Sequence, residues 1–323
     1  MTNDTPRSDV GGFLAYLKET APPPLSALPV EAARMVMLTN CAVADAPSMP
    51  LARVEDRDVP GPAGPIPARL YDRQPHRGAG PLVLFFHGGG FVIGDLDTHH
   101  SFCTWLADTL DLPVLAIAYR LAPEHPFPAA PDDAEACARW IAQMPDMFGF
   151  QVTGLIPCGD SAGGNLAIVT TQQLALRPAA LPVIACWALY PHVGGGKDWP
   201  SHRAYGQGFF LDGQDMAWFD RHYAPVTDDP RYDCLEGAIP AVPLLLHTAS
   251  LDPLHDAAHA YADRIEAAGV PVRRLEAAGM IHGFINFRQA LPSAQQDCAA
   301  FAAAATEMIA ALEHDTRRDG APA

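Results

Sequence analysis

Lysine is almost missing from this chain. Only Lys18 and Lys197 stand among 21 basic residues, against 37 acidic ones, for a formal net charge of −16. Such a surface repels a phosphate backbone and excludes nucleic acid as an expected partner. Paired cysteine spacing is missing too. Cys41, Cys103, Cys137, Cys158, Cys186, Cys234 and Cys298 are odd in number and contain no C-x-x-C. They read as reduced, mostly buried thiols of a cytosolic protein. No apolar run is long: Leu181–Tyr190 is far too short to span a bilayer. Met1 to Glu19 carries Asp4, Arg7 and Asp9 in place of a basic start and an apolar core, which argues against a signal peptide. Internal repeats are absent. The expectation is a soluble, cytoplasmic protein without stable membrane association.

What is present is globular. Hydrophobic residues make up 49% and charged residues 18%, and 323 residues leave room for one large core or two modest domains. The 26 glycines and 32 prolines stay below the level of low complexity and read as rigid loops.

Residues 1–45 hold two short amphipathic segments, Phe13–Leu17 and Val30–Leu38, separated by Ala21-Pro22-Pro23-Pro24, and read as a helical appendage. Leu51–Asp58 and Pro67–Tyr71 flank a Pro/Gly turn at 60–62 and predict a strand pair. Strands and helices then alternate: strand Leu82–Phe86, helix Phe102–Leu110, strand Val114–Tyr119, helix Asp132–Gln143, strand Val152–Pro157, helix Leu166–Leu176, strand Pro182–Leu189. After a break come strand Val242–Thr248, helix Ala257–Ala267, strand Val272–Glu276 and a long Ala-rich helix over 293–314, with a flexible tail over 315–323. Continuous apolar strands between helices predict an α/β protein with a mostly parallel sheet covered on both faces. The break, 194–225, is rich in Trp, Phe, Tyr and Gly and has no strand pattern. It reads as an insertion that forms a lid with residues 1–45, or as an excursion packed on itself. It divides the core into 46–193 and 226–314.

The chemistry centres on Cys158-Gly159-Asp160-Ser161-Ala162-Gly163-Gly164-Asn165, between a strand and a helix. G-x-S-x-G at such a junction is a nucleophile elbow: the chain reverses so sharply that side chains at 159 and 163 would collide with neighbours. The helix that follows points its positive end at the serine. The five residues alone also fit a plain Gly-rich turn. Their surroundings favour the elbow. His87-Gly88-Gly89-Gly90-Phe91 follows a strand, and the N–H groups of Gly88 and Gly89, with that of Ala162, would make an oxyanion hole. His87 reads as a loop anchor. The loop has neither the G-x-G-x-x-G order nor a P-loop lysine, against a phosphate-binding turn. Asp252, in Ser250-Leu251-Asp252-Pro253-Leu254-His255-Asp256, follows another strand and is the first choice for orienting a histidine, with Asp256 read as a helix N-cap. His282, in Gly279-Met280-Ile281-His282-Gly283-Phe284, follows the next strand. The order Ser161, Asp252, His282 is the α/β-hydrolase order. Tyr119 to Ala130 reads as a rigid, polar-anchored structural loop.

Metal readings are weaker. His255 and His259 stand at i, i+4, but no Glu completes H-E-x-x-H, so no metal and no other cofactor is expected. Cys158 reads as a buried thiol and not a nucleophile.

HGGG at 87–90, YRLAPEHPFPAA at 119–130, GDSAGGNLA at 159–167, DPLHD at 252–256 and GMIHGF at 279–284 resemble the hormone-sensitive-lipase-like esterases, in the branch with Asp160 before the serine. The resemblance covers most of the core in order. It implies an α/β-hydrolase fold with an N-terminal helical cap over 1–45. It also implies Ser161 as nucleophile, His282 as base, Asp252 as its orienter, and Gly88, Gly89 and Ala162 as oxyanion donors. The expected activity is that of a serine carboxylesterase acting on short- to medium-chain acyl esters. The expected partner is a small-molecule ester; a homodimer is left open. An amidase or aryl formamidase would use the same groups, and a small-molecule receptor on the same fold is the non-catalytic alternative.

Overall fold

The computed structural model describes residues 5–144, 146–194 and 198–319. In chain order the elements are α1 (Ser8–Thr20), α2 (Val30–Ala44), β1 (Arg53–Gly61), β2 (Gly64–Asp72), β3 (Gly80–Phe86), α3 (His100–Leu110), β4 (Val114–Ile117), α4 (Ala129–Gln143), β5 (Val152–Asp160), α5 (Ala162–Leu176) and β6 (Cys186–Leu189). Then follow α6 (Pro200–Tyr205), α7 (Gly213–Tyr223), β7 (Leu244–Leu251), α8 (His255–Ala267), β8 (Val272–Ile281) and α9 (Ala294–Asp319). The strands form one sheet ordered β1-β2-β4-β3-β5-β6-β7-β8. β2 is antiparallel to β1 and β4, and all other neighbours are parallel.

The apolar runs explain this arrangement. Every residue of β4, β6 and β7 is buried, as a strand covered on both faces requires. Alternation sorts the side chains of β3. Leu82, Leu84 and Phe86 pack with α4, α5 and α8, whereas Val83 and Phe85 pack with α3 and α9. β1 alternates half-buried with exposed residues at the sheet edge. All seven cysteines are buried and unpaired, and burial pushes thiols such as Cys186 and Cys298 up to about 12. Among the described residues no helix is long and apolar enough to cross a membrane.

Several boundaries differ from the sequence expectation, and pairing is the reason. β1 and β2 extend to a tight hairpin at Gly61 and Gly64 because each residue has a partner across the ladder. β6 begins only at Cys186, since Val183 makes a single isolated bridge to Leu155. α9 continues to Asp319, so 315–319 are helical and not tail; 320–323 lie outside the described residues. Residues 195–197, within the expected insertion, also lie outside them.

The N-terminal helices are fastened at three places. Arg7 pairs with Asp297 on α9, Arg34 of α2 with Glu124, and Arg288 with Asp45 at 2.7 Å in a buried ion pair. The insertion is joined to them where the Ser26 N–H donates to Asp215 on α7 at 2.9 Å. Both segments thereby stand over the carboxyl ends of the parallel strands, where sheets of this kind bind ligands.

Candidate active site

Ser161 sits between β5 and α5 with φ 54° and ψ −118°, a left-handed backbone that a serine adopts only under constraint. The glycines on either side make the turn sterically feasible. A Cβ on Gly159 would meet the Gly163 carbonyl oxygen at 2.3 Å, and one on Gly163 would meet the Phe86 oxygen at 1.9 Å. α5 therefore begins at Ala162, four residues before the apolar run that predicted it.

The turn aims the serine at two other strand ends. His282 Nε2 lies 2.9 Å from Ser161 Oγ, and His282 Nδ1 lies 2.7 Å from Asp252 Oδ2. A carboxylate facing Nδ1 holds the proton there and leaves Nε2 free to accept from the hydroxyl. Asp252 is fully buried, and its second oxygen accepts the Leu254 N–H at 2.8 Å. The Tyr190 ring packs edge-on against the imidazole, 4.8 Å between centroids. β8 continues to Ile281, so His282 follows the strand directly and inherits its rigidity. Asp256 is not an N-cap. α8 begins one residue earlier, at His255, and the Asp256 carboxylate instead accepts the Ser201 N–H at 2.9 Å, tying α6 to α8.

The glycine loop departs from expectation at one position. The Gly88 N–H donates to Asp160 Oδ1 at 2.8 Å and is not free to meet a substrate oxygen. Among the described residues the N–H groups of Gly89, Gly90 and Ala162 have no protein acceptor, and these three residues line the cavity over Ser161. Asp160 thus ties down the glycine loop, a contact that sequence reasoning missed. Its carboxylate also meets His99 Nε2 at 3.1 Å. The conspicuous sign was its place beside the serine, but nothing in one dimension says that it reaches back to Gly88. Asp160→Ala is expected to lower kcat about 100-fold with little change in KM, because it frees the loop that carries the donors. Steady-state kinetics check this; an unchanged kcat would mean that the loop holds itself.

His87 is buried, with Nδ1 2.8 Å from the Gly88 carbonyl oxygen and its ring stacked on Tyr119 at 4.3 Å. The Tyr119 hydroxyl donates to the His87 carbonyl oxygen at 2.7 Å. The 119–130 loop is itself held by Arg120, whose backbone N–H and guanidinium both donate to Asp133. Desolvation pushes His87, His192 and His247 each down to about 4. An unfolded chain protonates such residues near pH 6.5, so the folded state loses stability as pH falls from about 6.5 to about 4. Glu55, beside Arg53, and Glu124, beside Arg34, are both held near 2, which extends the loss from 4.5 toward 2. Tm should therefore drop on acidification from pH 7 to pH 4; a constant or rising Tm in a pH series would contradict this.

Over Ser161 lies a cavity of about 760 Å³. Leu14, Leu25 and Met37 of the N-terminal segment and Phe210, Met216 and Phe219 of the insertion give it a largely apolar wall. Of the insertion's aromatics only Phe210 and Phe219 line it. Trp199, Tyr205, Phe209, Trp218 and Tyr223 pack into or against the core. Phe13 joins the segments, 6.0 Å from the Phe210 ring and 5.7 Å from Phe287, which follows the His282 loop.

A profile of the α/β-hydrolase fold matches residues 83–286, from β3 past His282. The chain belongs to the hormone-sensitive-lipase-like family of α/β-hydrolases. Within this family it is 39% identical over 271 residues to the carboxylic ester hydrolase LipN of Mycobacterium tuberculosis, covering 80% of this chain and 71% of that protein. It is 38% identical to an ethyl acetate hydrolase of Pseudomonas putida, over 72% and 75% of the two chains. Among solved structures, a hyperthermophilic esterase from Pyrobaculum calidifontis superposes with a TM-score of 0.87 at 32% identity, over 94% of this chain and 99% of that one. An α/β hydrolase from the metagenome of Lake Arreo gives 0.88 at 32% identity, over 96% and 99%. These two structures therefore share the fold of this chain over nearly its whole length.

Proposed function

We propose that this carboxylic ester hydrolase cleaves short- to medium-chain acyl esters through an acyl-enzyme on Ser161. The observation that carries the reading is the unbroken line of hydrogen bonds from Ser161 Oγ through His282 to the buried Asp252. Ser161 Oγ attacks the ester carbonyl while His282 Nε2 takes its proton, and Asp252 supports the imidazolium that forms. The carbonyl oxygen, now an anion, accepts from the N–H groups of Gly89, Gly90 and Ala162, the last at the positive end of α5. Collapse expels the alcohol, which takes the proton from His282. Water then enters and attacks the acyl carbon as His282 takes its proton; the acid departs as His282 returns that proton to Ser161 Oγ.

Acyl length follows from the cavity. Residues 1–45 and 194–225 act as its cap, and an apolar wall closed by Phe210, Phe219 and Met37 suits a flexible acyl chain of limited length. Phe219 presses on the glycine loop, since a Cβ on Gly90 would meet its ring at 2.3 Å, so acyl binding and oxyanion binding share one wall. p-Nitrophenyl esters from acetate to palmitate, run beside an aryl formamide, test the reading. kcat/KM should be highest between acetate and octanoate and fall steeply by palmitate. A maximum at palmitate, or on the formamide, would overturn it.

A further inference from the structure

α8 and β8 present a second cluster of chemistry outside the esterase site. His255 and His259 stand one helical turn apart on α8, and Glu276 faces them from β8. Glu276 Oε2 lies 3.0 Å from His255 Nε2 and 3.6 Å from His259 Nε2, and one donor atom from each residue falls within 4.8 Å of the others. Donor atoms around a tetrahedral zinc stand about 3.3 Å apart, so small side-chain rotations would close this triangle on an ion. We propose that His255, His259 and Glu276 bind one divalent cation of the zinc type, which clamps α8 to β8.

Three features support the assignment. Histidines four apart on a helix offer their rings on one face, and the carboxylate that H-E-x-x-H would supply in sequence comes here from the neighbouring strand. The second ring nitrogen of His255, Nδ1, lies 2.9 Å from Asp256 Oδ1. A carboxylate behind a ligating imidazole fixes its tautomer and turns Nε2 toward the metal. The donor set of two imidazoles and one carboxylate suits Zn²⁺ better than Mg²⁺ or Ca²⁺, which take oxygen ligands. Thr248 Oγ1, 3.3 Å from His259 Nε2, adds an oxygen beside the site. The opposing charge is Arg274, 3.4 Å from His259 Nδ1; an ion on Nε2 places the ring proton at Nδ1, so this contact opens on binding and Arg274 is left with its partners Asp263 and Glu266.

The position gives the clamp a consequence. His255 is three residues beyond Asp252, and Glu276 is six residues before His282. An ion here joins the two elements that deliver the carboxylate and the imidazole to Ser161. A ring nitrogen ligates only when it carries no proton, so binding should weaken as pH falls.

The test uses the full chain purified without a histidine tag. Zn²⁺ is titrated against a chromophoric chelator, and Tm is measured with and without Zn²⁺. The expected result is one ion per chain and a Tm rise of about 2–4 °C at saturation. His259→Ala and Glu276→Gln should each weaken binding more than about 10-fold and abolish the rise. Co²⁺ bound in place of Zn²⁺ should give a visible absorption band that both variants lose. Absence of saturable binding overturns the proposal, as does binding that both variants retain. Because Glu276→Gln preserves shape, it decides the matter even where His259→Ala folds poorly. None of these readouts depends on ester hydrolysis.

Discussion

Ser161→Ala is expected to lower kcat for ester hydrolysis about 10⁶-fold while leaving Tm unchanged. The only side-chain partner of Ser161 Oγ among the described residues is His282 Nε2, so removing the hydroxyl deletes the attacking atom and little else. The backbone at 161, at φ 54° with serine, is expected to hold with alanine, because glycines 159 and 163, not the side chain, make the turn feasible. What remains is binding and the oxyanion donors, which alone accelerate hydrolysis about 10³–10⁴-fold over water. A chromogenic ester assay on the purified variant, with a melting curve beside it, checks both halves. Substantial activity in a folded variant would remove Ser161 from the mechanism.

Asp252→Asn should cost on the order of 10⁴-fold in kcat. The reason is tautomeric. Asp252 accepts on both oxygens, from Leu254 N–H and toward His282 Nδ1. Asparagine has one acceptor. Its oxygen stays with Leu254 N–H, because a flipped amide would set donor against donor there. Its NH₂ then faces Nδ1, which must become the acceptor, so Nε2 carries the proton and cannot take one from Ser161. Asp256→Asn is the comparison, since Asp256 holds α6 through Ser201 and does not face His282. Its kcat should stay within a few-fold of the parent. A mild Asp252→Asn beside a severe Asp256→Asn would reverse the assignment.

Much of this was legible from residues alone, and what was legible is local. Leu82–Phe86 is apolar without a break because both faces of β3 are covered. Ser161 stands between glycines because the reversal tolerates nothing larger. Asp252 and His282 each follow a strand, and parallel strands end on one edge of the sheet, so their loops must meet. The unreadable parts depend on contacts between distant segments. HGGG offers three similar N–H groups, and only the reach of Asp160 to Gly88, 72 residues back, decides that Gly88 is engaged. Asp256 looked like a cap from its place before a helix, but Ser201 claims it from the insertion. Glu276 reads as an ordinary strand residue until α8 folds across it. Of seven aromatics in the insertion, composition could not tell Phe210 and Phe219, which face the cavity, from five that pack elsewhere.

The central claim is that Ser161 alone is the acylated nucleophile. Titration with an aryl phosphonate that leaves a stable phosphonyl group on an activated serine tests it most directly. The expected result is a stoichiometric burst of the aryl leaving group, loss of esterase activity in proportion, and one phosphonyl adduct mapped to Ser161 by mass spectrometry. A phosphonyl adduct on another residue, or full inhibition with no adduct at Ser161, would contradict it.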